Sequence, residues 1–93
     1  QKGLGSPEES FKPSLYCCPD LDHWVSSIKE RVLTLEDGSL WLIYEDDQYI
    51  TILWLPIDNI KIKASGVYGH YYLSRYDSIM KKYETVRAIY VKN

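Results

Sequence analysis

The stretch Asp77-Ser78-Ile79-Met80-Lys81-Lys82-Tyr83-Glu84-Thr85-Val86-Arg87-Ala88-Ile89-Tyr90-Val91-Lys92-Asn93 decides how the chain is read. Ile79, Tyr83, Val86 and Tyr90 recur at helical spacing, and Met80 and Ile89 widen the stripe. Lys81, Lys82, Glu84 and Arg87 fall mainly on the opposite side. Asp77 or Ser78 can cap the start, and neither glycine nor proline interrupts the run. The pattern predicts one amphipathic helix over 77–93.

Upstream the texture is that of strands. Trp24 and Val25 open an apolar segment that continues through Ile28. Val32-Leu33-Thr34-Leu35 and Leu40-Trp41-Leu42-Ile43-Tyr44 flank a turn at Glu36-Asp37-Gly38-Ser39. Tyr49-Ile50-Thr51-Ile52-Leu53-Trp54-Leu55 reads as a further strand stopped by Pro56. Ile60-Lys61-Ile62-Lys63 alternates as a strand with one wet face, and a last strand runs from Tyr68 through Leu73. The expected fold is α+β: an antiparallel sheet of about six strands in a meander, with the C-terminal helix packed across it.

Residues 1–22 read as a leader, broken by Gly3, Gly5, Pro7 and Pro13, with Leu15 and Tyr16 able to anchor its end at a core edge. Residues 23–93 make one domain. The chain does not begin with methionine, so a fragment or processed form is expected. With 93 residues, 45% of them hydrophobic, and a formal net charge of −2, one small domain is expected, and a dedicated nucleic-acid binder, which needs a basic footprint, is not. No apolar run is long enough to span a bilayer as a helix. Cys17 and Cys18 are adjacent and read as two free thiols with no disulfide framework, which suggests a reducing, intracellular compartment.

A single helix covers only one face of a sheet. Trp41 and Ile43 on one strand, and Ile50, Ile52 and Trp54 on another, are therefore expected on an uncovered apolar face, the kind of patch that marks an interaction site. No catalytic, metal or cofactor site is expected. His23 with Cys17 and Asp20 or Asp22 lacks metal-ligand spacing, and Glu45-Asp46-Asp47 lacks the glycine and distal glutamate of a calcium loop.

Three places resemble the polo box, the sheet-plus-helix module of polo-like kinases. They are Pro19-Asp20-Leu21-Asp22-His23-Trp24-Val25, the hairpin from Leu35 to Asp47, and Ile79-Met80-Lys81-Lys82-Tyr83 with the apolar run ending near Tyr90. The resemblance implies a non-catalytic targeting domain of a serine/threonine kinase at centrosomes or centrioles, cytoplasmic or nuclear. Its partner would be another protein or a second polo box, including a homodimer, and the resemblance puts Trp24 in the place of the Trp that packs against the bound peptide with Val25 beside it, adding both to the candidate partner-binding residues. In the family a His and a Lys grip phosphate; the corresponding places here hold Gln48 and Ile50. A phosphopeptide is therefore expected only if a second box is present. Neither nucleic acid nor membrane is an expected partner. The alternatives are an unrelated adaptor or inhibitor that caps another protein and, more weakly, a single-stranded nucleic-acid-binding module whose tyrosines stack on bases.

Overall fold

Val86, Ala88 and Tyr90 enter the core cluster while Thr85 and Arg87, at the alternate positions, stay exposed. That is the period of a strand, not of a helix. A computed structural model describes residues 15–93, and in it the C-terminal run is the longest strand of a closed antiparallel barrel. The strands are β1 (His23–Lys29), β2 (Val32–Leu35), β3 (Leu40–Ile43), β4 (Asn59–Ala64), β5 (His70–Asp77) and β6 (Lys82–Lys92). Around the barrel the order is β1-β2-β3-β6-β5-β4, and β4 pairs back onto β1 through His23↔Ile60 and Trp24↔Asn59. Two three-stranded meanders are thus joined edge to edge.

The expected sheet with a packed C-terminal helix is therefore incorrect. Two features of the sequence explain why the helical pattern misleads. Asp77 Oδ1 does accept the amides of Ile79 and Met80, at 2.9 and 3.1 Å, as a helix cap would. Lys81 then adopts a left-handed conformation (φ 57°) that reverses the chain into a hairpin, and Asp77 pairs with Lys82. Beyond it, Tyr83, Thr85, Val86, Ile89, Tyr90 and Val91 are β-branched or aromatic residues that suit a strand.

The strand expected over 49–55 is also absent. After β3 the chain makes a 3₁₀ turn at Glu45–Asp47 and one turn of α-helix, α1 (Gln48–Thr51), the only helical structure among the described residues. It then crosses the lower mouth of the barrel. Thr51 and Trp54 point inward and are buried, whereas Ile52, Leu53 and Leu55 point out. The three strands expected in the Val32–Leu35, Leu40–Tyr44 and Ile60–Lys63 regions are present, the last two with small shifts at their ends.

Closure removes both sheet edges and dries the inner face without a helix. The upper half of the interior is aromatic: Trp41 meets Tyr71 at 5.3 Å and Tyr90 at 5.1 Å between ring centroids. Tyr16, from the segment before β1, plugs the upper mouth 5.0 Å from Trp41. Of the leader expected over 1–22, residues 1–14 lie outside the described residues. Below the aromatic layer, Leu33, Ile43, Ile60, Leu73 and Val86 fill the barrel. A register shift between Val25 and Ser27 bends β1 so that it can pair on both sides.

Cys17 and Cys18 are not free thiols but are joined to each other by a disulfide. A reducing compartment is thus no longer implied by the cysteines. Among the described residues no helix is long and apolar enough to cross a membrane.

Ile57 is held at φ 68°, a left-handed conformation that a β-branched side chain adopts only under constraint. Its amide donates to the Val25 carbonyl at 2.7 Å, which pins it there. Its side chain is 79% exposed and supports no core contact. Ile57→Gly is therefore expected to raise the unfolding free energy by about 1 kcal/mol, the usual cost of a left-handed L-residue, measured by urea denaturation.

Candidate functional site

The loop across the lower mouth is hydrogen-bonded along its backbone and apolar in its outward side chains. Trp54 N–H donates to the Thr51 carbonyl at 2.9 Å and Leu55 N–H to Asp58 Oδ2 at 2.8 Å. Val25 N–H donates to the Asp58 carbonyl at 2.9 Å, stitching the loop to β1. With these backbone groups satisfied, the chain offers Ile52, Leu53, Leu55 and Ile57 outward, all between 64% and 79% exposed. The β5–β6 hairpin overhangs the same end and adds Ile79 and Met80 at its tip, also exposed.

A polar network beneath holds this end together. Arg75 Nη2 donates to Glu84 Oε1 at 2.6 Å and Nη1 to Asp58 Oδ2 at 3.2 Å. Glu84 Oε1 also accepts the Trp54 indole N–H at 3.1 Å. Burial works against the Arg75 charge, but the Glu84 and Asp58 hydrogen bonds outweigh it and hold the guanidinium more firmly protonated than usual. Loop and hairpin are therefore one unit, not two independent flaps.

On the flank of this end, register places Trp24, Asn59, Tyr76 and Tyr83 in one transverse row on the outer wall. Tyr76 and Tyr83 pack edge to face with centroids 5.1 Å apart. The row borders a groove of about 540 Å³ whose wall also includes Asp22 and Lys61. A smaller hollow of about 350 Å³ lies on the other side of the loop, between Ile28, Glu30, Ile52 and Trp54.

The residues expected to bind a partner are divided by this architecture. Val25, Trp41, Ile43 and Trp54 face the barrel interior, and none is more than 3% exposed. The uncovered sheet face on which they were expected does not exist, because the sheet closes on itself. Ile50 is half-buried against the core. Trp24 and Ile52 are at the surface, 44% and 72% exposed, Ile52 on the apolar end and Trp24 on its flank. Sequence reasoning missed Leu53, Leu55, Ile57, Ile79, Met80, Tyr76 and Tyr83. The available signal was the density of large apolar residues on both sides of Pro56, more than one buried strand face can absorb.

Both histidines are engaged in hydrogen bonds. His70 Nδ1 lies 2.6 Å from the Tyr44 hydroxyl, and His23 is buried at the upper mouth. No family model, curated protein or solved structure matches the chain. Any role for the barrel has to be argued from its own surfaces.

Proposed function

We propose that this barrel is a non-catalytic protein-interaction module that docks a partner polypeptide on its lower end. The observation that carries the reading is the loop over residues 52–57, a fixed backbone displaying four large aliphatic side chains to solvent. Exposed apolar patches of this kind cost solubility and usually mark contact surfaces. Ile57 adds to the argument, since a strained, exposed isoleucine serves neither folding nor solubility. Trp24, Tyr76 and Tyr83 on the flank supply the aromatic anchors that dominate interface energies.

The polo-like-kinase version of this role, with its centrosomal address, rested on three resembling segments, one of them a closing helix. The segment that would form it is β6, so the role proposed is the general one. The aromatic groove is the one feature that favours single-stranded nucleic acid, through base stacking. Its Lys61, however, faces Asp22 at 4.0 Å, and the chain carries a net charge of −2.

The test is a photo-crosslinking residue at position 53 in the chain expressed in its native cells. A discrete protein adduct is expected, either of dimer mass or with one heavier partner. Ile57→Asn combined with Leu55→Ser should reduce its yield about tenfold or more while leaving the far-ultraviolet circular dichroism unchanged, since asparagine tolerates the left-handed conformation better than isoleucine. A yield unaffected by those substitutions, a lipid adduct alone, or no adduct would overturn the reading.

A further inference from the structure

The upper mouth, at the opposite end from the docking surface, holds a different kind of chemistry. Ligand atoms of His23, Glu36 and Asp37 all lie within 4.8 Å of one another, the one such convergence of three metal-ligating side chains among the described residues. β1 brings His23, and the tight β2–β3 turn, closed by Gly38 at φ 85°, brings both carboxylates to it.

The ring nitrogens of His23 have distinct partners. Nε2 lies 2.8 Å from the Cys18 carbonyl oxygen, which can only accept, so Nε2 carries a hydrogen. Nδ1 lies 2.9 Å from Glu36 Oε2, another acceptor, and the Asp37 carboxylate is close by. Nδ1 and the two carboxylates thus face one another, from a histidine side chain only 1% exposed whose Nε2 is fixed by a backbone carbonyl. A divalent metal neutralises both carboxylates and leaves the imidazole neutral. An N–H held by a backbone carbonyl while the other nitrogen faces carboxylates is the usual arrangement of a metal-binding histidine.

We infer that His23 Nδ1, Glu36 Oε2 and an Asp37 carboxylate oxygen form a binding site for a divalent transition metal of the zinc class. One imidazole with two carboxylates is a donor set that suits Zn²⁺ or Co²⁺ better than Ca²⁺. The Tyr16 hydroxyl, hydrogen-bonded to Asp37 Oδ2 and 3.4 Å from His23 Nε2, sits at the edge of the site. Ser39 steadies Asp37 through its amide at 2.9 Å and its hydroxyl at 2.6 Å, both on Oδ1, while the Tyr16 hydroxyl holds Oδ2. Metal here would tie Tyr16, the β1 strand and the β2–β3 turn together and so close the mouth.

The experiment uses the full chain, stripped with a chelator and titrated at pH 7.5 with Zn²⁺ alone by calorimetry and with Co²⁺ alone by visible absorption. Saturable one-to-one binding is expected, with cobalt d–d bands and a rise in Tm produced by Zn²⁺ and not by Mg²⁺. Glu36→Gln and Asp37→Asn, which keep the side-chain shape, should each weaken Zn²⁺ binding by about tenfold or more. Circular dichroism of the metal-free variants would establish that they fold. A variant that binds as tightly as the parent would overturn the assignment, as would the absence of saturable binding; His23 and Glu36 would then be a hydrogen-bonded pair and nothing more.

Discussion

Truncating Trp41 to alanine is expected to cost about 3–5 kcal/mol of stability, the range for deleting a large aromatic side chain from a packed core. A small domain has about 5–15 kcal/mol in total, so the variant should be largely unfolded or close to it at 37 °C. Trp41 is fully buried, with its ring within 5.3 Å of the rings of Tyr16, Tyr71 and Tyr90. Its indole N–H donates to Ser39 Oγ at 2.9 Å, a bond that also braces the β2–β3 turn. Urea unfolding followed by circular dichroism would show the shift in midpoint. Trp24→Ala is the control: its side chain lies on the outer wall, and the change in stability should stay below about 1 kcal/mol. Equal losses for the two tryptophans would mean that the closed barrel does not describe the protein in solution. The sequence reading, with Trp41 on an open face, expects both variants to keep the fold and lose a partner.

That contrast marks how far sequence reasoning reached. The β2–β3 hairpin was legible because its signals are local: alternating β-formers around an Asp-Gly turn. Ile60, Ile62, Lys61 and Lys63 announced a strand with one wet face for the same reason. Closure was not legible. It depends on the two-residue seam between β1 and β4, and nothing in Trp24 or Asn59 announces that they pair. Without that seam a sheet needs a cover, and the spacing of Ile79, Tyr83, Val86 and Tyr90 supplied one. Both readings bury Val86 and Tyr90, because residues four apart share a face in a helix and in a strand alike. Ala88 separates them, since it lies with Val86 and Tyr90 only in a strand.

The exposed apolar end was legible in its composition and not in its location. Counting large apolar residues between Tyr49 and Ile57 correctly signals an excess over what a small core absorbs. Assigning them by strict alternation sends Trp54 outward and leaves Leu53 and Leu55 covered, the reverse of what the loop does. Trp54 turns in because its indole N–H finds Glu84 at 3.1 Å, 30 residues along the chain. The cluster at the upper mouth was out of reach for a similar reason. His23 meets Glu36 and Asp37 only through strand pairing, whereas the sequence neighbours Cys17, Asp20 and Asp22 do not join it.

Replacing Arg75 with alanine should be the other severe change, and it bears directly on whether the lower end is a single unit. Its guanidinium side chain is 14% exposed and contacts Asp58, Asp77 and Glu84. Removing it leaves three carboxylates facing one another without their cation, and a cost of about 3 kcal/mol is expected, the lower end for breaking a buried ion pair. The loss should depend on pH in a defined direction. The Asp77 carboxyl is held below the usual carboxylate range, chiefly by the Met80 amide, with the Ile79 amide and the Arg75 guanidinium adding to it. A carboxyl whose pKa falls on folding contributes stability above its unfolded value of about 4 and loses it as pH drops through the folded value. The amides remain in Arg75→Ala and only the guanidinium's share of the depression is lost, so the gap between parent and variant should be somewhat wider near neutral pH than below about pH 4. Since Glu84 also holds Trp54, the variant should release the loop over residues 52–57, with faster amide exchange at Trp54 and Leu55 than in the parent. A gap that is constant from pH 7 to pH 3, or loop amides as protected as before, would show that the ion network is peripheral and that the apolar end is held in place by Trp54 packing alone.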